Sequence, residues 1–355
     1  MLRPKVAFVY PNPRGRLAAE VAAGRAPDTT LLGQNHLAAL GVEATIEDFE
    51  TGGRLPRNLR EPFIAWRLAA RADVVFTPLA ALLPLAARAR RRPAIVAVNY
   101  GLCTIWERSG AARRRLLSTS LRSTVGVVCL GSNQREQLLA QTRLPPEHVV
   151  TVRLGVDERF FSPQPQPETD DPVVLAVGKD LARDYRTFVE AVAGLGVRAE
   201  IACLPRNLEG IALPPRVRAR FVGPGELRQL YREAACVVIP QRRPEYPYGS
   251  EGGGLTALLE AMASSRAVVA SERPILLDYV VPEESALLVP PEDAAALAAA
   301  IERLLGQRAL AARLGESARR NVEDGLTTRR FAEQLAPILK QAGLWKSRKT
   351  RTIQP

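Results

Sequence analysis

The segment Glu251-Gly252-Gly253-Gly254-Leu255-Thr256-Ala257-Leu258-Leu259-Glu260 puts three consecutive glycines, a carboxylate on either side and the start of an apolar helical pattern into ten residues. Glycine lets a backbone approach a ligand closely. A helix beginning there offers unpaired N–H groups and a partial positive charge to a phosphate, and carboxylates beside it can accept hydrogen bonds from sugar or ribose hydroxyls. This is the chemistry of a nucleotide-sugar site. Just upstream, Glu245-Tyr246-Pro247-Tyr248 adds another carboxylate and two aromatic faces suited to carbohydrate. A second constellation, Gly178-Lys179-Asp180-Leu181-Ala182-Arg183-Asp184, ends a strand-like run with a glycine and two cations. Lys179 and Arg183 can neutralise a diphosphate, including the charge that develops as it leaves. The same spacing also allows plain surface ion pairs, Lys179 with Asp180 and Arg183 with Asp184.

Positioning such groups requires a scaffold, and the hydrophobic pattern supplies one. Short apolar runs alternate with helical patterns along the whole chain, as in α/β layers built on parallel strands. Strands are expected at 6–10, 44–48, 73–77, 94–99, 126–130 and 149–153, with helices at 16–23, 63–72, 111–118 and 133–141. The alternating prolines and acidic residues of 162–172 read as an extended linker. The pattern then restarts, with strands at 173–177, 198–202, 218–222, 236–239, 267–271 and 286–289, and helices at 185–194, 225–235, 255–264, 294–305 and 309–323. A last helix is expected at 331–341, followed by a frayed basic tail at 346–351. The 355 residues thus divide into an N-terminal Rossmann-like domain (1–163) that would bind the acceptor, a linker (164–172), a C-terminal nucleotide-sugar domain (173–330) and a terminal helix and tail (331–355). Ligands of such sheets bind outside the carboxyl ends of the strands, so two doubly wound domains facing a central cleft are expected to place the site there.

Charge and composition narrow the partners. The net charge of +12 is concentrated in residues 1–165, which hold 23 Lys or Arg against 13 Asp or Glu, with clusters at Arg88, Arg90, Arg91, Arg92 and at Arg113, Arg114, Arg115. Such a field suits an anionic acceptor or peripheral contact with an anionic membrane. Without interleaved aromatics or a nucleic-acid module, no nucleic-acid partner is expected. Arg outnumbers Lys 44 to 5, so compositional bias explains the clusters equally well. No eighteen-residue apolar stretch and no signal-peptide pattern is present, and the four cysteines (Cys103, Cys129, Cys203, Cys236) form no C-x-x-C pair, so a reduced, cytoplasmic protein is expected.

Four pieces in order carry a family resemblance. They are Leu154-Gly155-Val156-Asp157 through Phe160 to Pro163; Val177-Gly178-Lys179 through Arg183; Leu230-Tyr231-Arg232-Glu233-Ala234 to Pro240; and Gly254-Leu255 through Leu259-Glu260-Ala261-Met262-Ala263 to Val269. Together they make residues 150–290 resemble the retaining glycosyltransferases often called GT4, with the two-domain GT-B fold. The first half matches in general pattern only. The resemblance implies that Glu260, the second glutamate of the family's E-x7-E motif, binds the ribose hydroxyls of a nucleotide-diphosphate sugar. Eight residues before Glu260 lies Gly252, so the spacing here is E-x8-E. Glu251 is assigned as the glutamate near the donor sugar, with Glu245 in reserve. The backbone of Gly253, Gly254, Leu255 and Thr256 would hold the distal phosphate, with Gly178, Lys179 and Arg183 beside it, and the base would lie near Arg206 and Val222. On the acceptor side, Arg14 and Gly15 follow the first strand. Asn99 and Tyr100 stand where many members carry a histidine; of the two histidines here, His36 reads as structural and His148 as a surface residue. The acceptor would be a carbohydrate, a lipid-linked glycan or a small molecule. No cofactor and no metal are implied, and no D-x-D triplet follows a strand. The alternatives are a nucleotide-sugar epimerase of similar fold and a non-catalytic basic adaptor on the same scaffold.

Overall fold

The computed structural model describes residues 3–10, 13–48, 57–78, 81–90, 92–165 and 169–350. Arg91, Asn12 and the linker residues 166–168 lie outside them, as do the side chains of the basic tail. The chain forms two compact units. Unit 1 comprises Met1–Ala22, Thr30–Arg153 and Thr328–Pro355, and unit 2 comprises Ala23–Thr29 and Leu154–Thr327.

Unit 1 is built on strands β1 (Lys5–Tyr10), β2 (Glu43–Asp48), β3 (Val74–Thr77), β4 (Ala94–Asn99), β5 (Gly126–Cys129) and β6 (Val149–Thr151). Helices α1 (Gly15–Ala22), α2 (Arg57–Leu68), α3 (Leu83–Ala89), α4 (Leu102–Glu107), α5 (Ala111–Leu121) and α6 (Ser132–Thr142) connect them. All pairings are parallel, in the order β2-β1-β3-β4-β5-β6. The interior strand β4 is buried along its whole length, whereas the edge strand β2 alternates, as expected when only one side of an edge is covered. Of the twelve α-helices among the described residues, ten fall where the sequence pattern predicts them and α3 and α4 do not. Both are one to two turns long, too short for a helical period to show.

Unit 2 repeats the design with β7 (Val173–Val177), β8 (Arg198–Ala202), β9 (Val217–Arg220), β10 (Ala234–Ile239), β11 (Val268–Ser271) and β12 (Leu287–Val289). The order β12-β11-β10-β7-β8-β9 is again all parallel, with the first strand of the unit at the sheet's centre and the chain winding outward on both sides of it. Helices α7 (Tyr185–Leu195) and α10 (Ala294–Gly306) close one face, burying Phe188, Val192, Leu297 and Ile301 against Val174, Cys236, Val238 and Val269. Helices α8 (Pro224–Glu233), α9 (Leu255–Ala263) and α11 (Arg308–Gly325) complete the unit. Helix α9 is apolar nearly all round and is buried except at Thr256. A helix of that composition has no face to give to water, so it enters the core and takes Glu260 with it.

Helix α12 (Thr328–Thr350) belongs to unit 1, where His36 Nε2 lies 3.2 Å from Thr328 Oγ1. It extends well past the expected helix at 331–341 and runs through residues expected to be frayed; Lys, Arg and Gln are good helix formers. His148 is not the plain surface residue expected: it is half-buried, with Nε2 2.9 Å from Thr124 Oγ1 and 3.1 Å from the Leu121 carbonyl, and burial lowers its pKa. The first part of the linker is tied down rather than loose. Fully buried Arg266 donates from Nη2 to the carbonyls of Gln164 (2.9 Å) and Pro165 (3.1 Å). All four cysteines are buried and none is in a disulfide.

Helix α11 passes so close to the turn between α9 and β11 that a Cβ on Gly315 would stand 2.3 Å from the Ser265 carbonyl oxygen and 3.3 Å from the Ala267 nitrogen. Both are backbone atoms and cannot swing aside. Gly315→Ala is therefore expected to destabilise unit 2 by about 1–3 kcal/mol despite alanine's better helix propensity, measured by denaturant unfolding; equal or greater stability would show that the two helices can separate freely.

Candidate active site in unit 2

Four strands of the second sheet end in a row of polar residues along one edge, Arg273 after β11, Gln241 after β10, Lys179 to Arg183 after β7 and Arg206 after β8, and the buried, apolar Val222 follows β9. The centre of this row, between β10 and β7, is where the winding direction reverses, the usual ligand position in doubly wound sheets.

Gly178 closes β7 with φ +151° and makes room for Arg183, whose Nε would be 1.8 Å from a Cβ at that position. Arg183 is buried, and its Nε stands 3.1 Å from Asp180 Oδ2. The partner of Arg183 is thus Asp180. Asp184 instead caps α7, accepting from Thr187 N–H at 3.3 Å, and pairs with Arg242 at 3.1 Å. Lys179 is exposed, its ammonium 4.7 Å from the centroid of the Phe221 ring; no Lys179–Asp180 pair occurs among the described residues. Asn207 secures the neighbouring turn by donating to the Asp180 carbonyl (2.8 Å) and accepting from Leu204 N–H (3.2 Å). That turn carries Arg206 into solvent, while Val222 is buried.

Across the switch point, Gly254 caps α9 in the left-handed region (φ +96°). With its amide oriented to suit its neighbours, Gln241 accepts from Arg183 Nη1 (2.8 Å) and Gly254 N–H (3.2 Å) and donates to the Ala182 carbonyl (3.2 Å). One side chain thereby locks the buried guanidinium to the helix N-terminus. A Cβ on Gly254 would come within 2.8 Å of Gln241 Nε2. Gly253 donates to the Ser250 carbonyl (3.1 Å), and buried Arg273 donates to the same oxygen (2.8 Å). Arg273 also interacts electrostatically with Asp180 and Glu251, and its own pKa is lowered chiefly by burial. Glu251 is buried beneath this loop; Glu245 is exposed.

Glu260 is the most perturbed carboxyl of the site. Burial pushes its pKa from 4.5 up to about 7, against the opposing pull of a Tyr231 hydrogen bond and the charges of Lys179 and Arg183. Tyr231 Oη donates to Glu260 Oε2 at 2.9 Å. Because the folded pKa is the higher one, the folded chain retains a proton that the unfolded chain releases. Glu260 therefore contributes most stability below about 4.5, and that contribution is lost as pH rises through about 7.

Sequence reading assigned no role to Gln241, Arg273 or Tyr231. The first two sit within two residues of the carboxyl end of a strand, which is the signal that would have found them. Tyr231 lies in the last turn of α8 and carried no signal of its own. Among the described residues, no group of three or more His, Cys, Asp and Glu is gathered as for a metal ion.

In unit 1, the N–H groups of Arg14 and Gly15 both donate to the Asp48 carboxylate, and Arg14 stacks 4.1 Å from the Tyr10 ring centroid. Tyr100 lies in the same electrostatic cluster; its pKa is pushed up to about 12 by burial, with Arg14 pulling it down. Asn99 has a different task from the acceptor contact expected of it. It is fully buried, its Oδ1 accepts from Gly101 N–H (3.0 Å) and Leu102 N–H (2.7 Å), and its Nδ2 faces Cys103 Sγ and Cys129 Sγ. It caps α4.

Comparison with known proteins bears on the family and the fold. Residues 4–160 match the family described as Glycosyltransferase Family 4, and residues 216–321 match Glycosyl transferases group 1. Both units of the chain thus match glycosyltransferase families. It is 26% identical over 348 residues to the MMP alpha-(1->4)-mannosyltransferase of Mycolicibacterium hassiacum, covering 94% of this chain and 76% of that one. It is 28% identical over 212 residues to the lipopolysaccharide core biosynthesis mannosyltransferase LpcC of Rhizobium leguminosarum bv. viciae, a match spanning 53% of this chain and 58% of that protein. The crystal structure of Anabaena HepE in complex with UDP and glucose superposes with a TM-score of 0.71 at 15% identity, covering 95% of this chain and 100% of that one, a likeness of fold. The fold is GT-B, with two Rossmann-like units.

Gly178→Ala would drive a methyl into the buried Arg183 guanidinium. The expected result is a loss of about 1–3 kcal/mol in stability together with weaker nucleoside diphosphate binding, read by unfolding and calorimetry; unchanged binding would separate Arg183 from the ligand.

Proposed function

We propose that the protein is a retaining hexosyltransferase that moves a sugar from a nucleotide-diphosphate sugar to an acceptor hydroxyl without a metal ion. The observation that carries this reading is the joining, at one switch point, of a glycine-capped helix N-terminus, a buried arginine and a buried glutamate. Those groups match the three parts of such a donor. Backbone N–H groups at Leu255 and Thr256, with Lys179 and Arg183, complement the diphosphate; those expected of Gly253 and Gly254 are committed instead to the Ser250 carbonyl and to Gln241. Glu260 accepts from the ribose hydroxyls. Arg206 and Val222 flank the base, and Glu251 stands near the sugar. The acceptor oxygen bonds to the anomeric carbon on the face from which the phosphate oxygen departs, and that departing oxygen takes the acceptor's proton. Lys179 and Arg183 stabilise the charge left on the diphosphate, the task that a divalent cation performs elsewhere. The relatives support a hexose, since two are mannosyltransferases and the HepE complex holds UDP and glucose.

Unit 1 would hold the acceptor, with Arg14, Gly15 and Tyr100 as its contacts; Asn99 is left out because its amide is committed to α4. The arginine excess of residues 1–165 favours an anionic or lipid-linked acceptor and a cytoplasmic enzyme resting on an anionic membrane face. No helix among the described residues is long and apolar enough to cross a membrane. The family matches favour neither an epimerase nor a non-catalytic adaptor.

A thermal-shift screen with UDP, GDP, ADP and TDP should show one nucleotide raising the melting point, since a ligand that binds only the folded state must stabilise it. Glu260→Ala and Lys179→Ala should each lower turnover with that donor by about 10²-fold or more, with the product's anomeric configuration, read by NMR, matching the donor's. Full activity in both variants, or an inverted product, would overturn the assignment.

A further inference from the structure

The mechanism so far gives no task to Tyr231, yet it is among the most constrained side chains in unit 2. It is fully buried on α8. Its ring meets Phe161 edge-on, with centroids 5.6 Å apart and planes at 89°. Its carbonyl accepts from Arg266 Nε at 2.9 Å, and the same guanidinium holds Gln164 and Pro165. Fixed at both ring and backbone, the phenol can point in one direction. Its oxygen lies 2.9 Å from Glu260 Oε2 and 3.3 Å from the Ala257 carbonyl. A phenol has one hydrogen to donate, and the ionised carboxylate at the shorter distance is the stronger acceptor.

We propose, resting on the nucleotide-sugar reading above, that Tyr231 is the positioning residue for Glu260: its hydroxyl holds Oε2 and leaves Oε1 to receive the ribose hydroxyls. A carboxylate in that setting needs a donor. Taken out of water without one, it binds a proton, and a protonated Glu260 offers one oxygen as a hydrogen-bond donor where the ribose requires an acceptor. The other groups facing Glu260 are the ammonium of Lys179 and the guanidinium of Arg183, both from the loop after β7. Tyr185 on α7 faces Tyr231 in turn, and Arg319 on α11 binds the Ala263 carbonyl at the far end of α9. Both cations act through space, whereas Tyr231 is the one of these groups that hydrogen-bonds the Glu260 carboxylate, so it controls direction as well as charge.

Tyr231→Phe keeps the ring and removes only the oxygen. Calorimetric titration of the intact chain with UDP (or GDP, if the thermal screen favours it) between pH 6 and 9 reads the effect, and taking the ratio of variant to wild type at each pH cancels the ligand's own phosphate ionisation. The acid limb of binding should move up by about one pH unit, which weakens binding about fivefold near pH 7 and restores it toward wild type by pH 9. A uniform loss at every pH, or an unshifted limb, would overturn the proposal, because a packing defect has no reason to follow a titration. Glu260→Gln should bind weakly and with no acid limb from this group. If Glu260→Gln instead binds like wild type, the ribose assignment itself fails; if it weakens binding while Tyr231→Phe leaves the limb in place, only the role of Tyr231 fails.

Discussion

A carboxylate held out of water is the constraint on which the second unit is organised. Glu260 sits on a helix whose other residues are almost all apolar, so the helix must be buried and the charge goes with it. The cost of that desolvation appears directly as a pKa raised to about 7. Such a group persists only where partners offset part of the cost. Here a phenol donates to it, and two cations lie close enough to pull its pKa back down. Arg183 is itself buried and needs its own partners, which it finds in Asp180 and Gln241. Gln241 then reaches Gly254, at the start of the same helix that carries Glu260. The buried polar groups thus form a chain of contacts running from Asp180 through Arg183 and Gln241 to the start of α9.

The doubly wound sheet makes that chain of contacts feasible. Adjacent parallel strands deliver their carboxyl ends side by side, so loops far apart in sequence, after β7 and after β10, become neighbours. Winding outward on both sides of β7 leaves an opening at the switch point where neither crossover passes. Glycine at 178 and at 254 then lets backbone and guanidinium approach to distances that a Cβ would forbid. Arg273 extends the arrangement to the next strand by gripping the carbonyl of Ser250, which shapes the loop leading to Glu251. The E-x8-E spacing is accommodated in this loop, where the extra residue falls in a turn outside the helix.

Much of this was legible in the residues. Alternating apolar runs and helical patterns revealed the twelve strands among the described residues, most plainly where a buried parallel strand leaves an uninterrupted apolar signature, as in Ala234–Ile239 and Ala94–Asn99. The triple glycine and the pair of cations drew attention to the loops that do meet at the switch point. Short helices such as α4 left no periodic trace, and neither did the fate of single polar side chains. Asn99 looked available as a ligand contact and is instead the cap of α4. Asp184 looked like a partner for Arg183 and instead caps α7. Both residues are short and polar at the end of a strand or loop, and sequence does not say whether such a group turns toward a ligand or toward its own backbone.

Composition and periodicity by themselves determined two α/β halves, parallel sheets, and which loops carry phosphate-complementary chemistry. These follow from local spacing, which is a property of the chain. Tertiary structure alone decided that Gln241 bridges Arg183 to the α9 N-terminus, that Arg273 joins the site, and that Tyr231 stands against Glu260. Those contacts join residues 13 to 58 positions apart, and burial sets both their energies and the titration of Glu260. Burial is decided by how the layers close on one another, and no local pattern of residues encodes it.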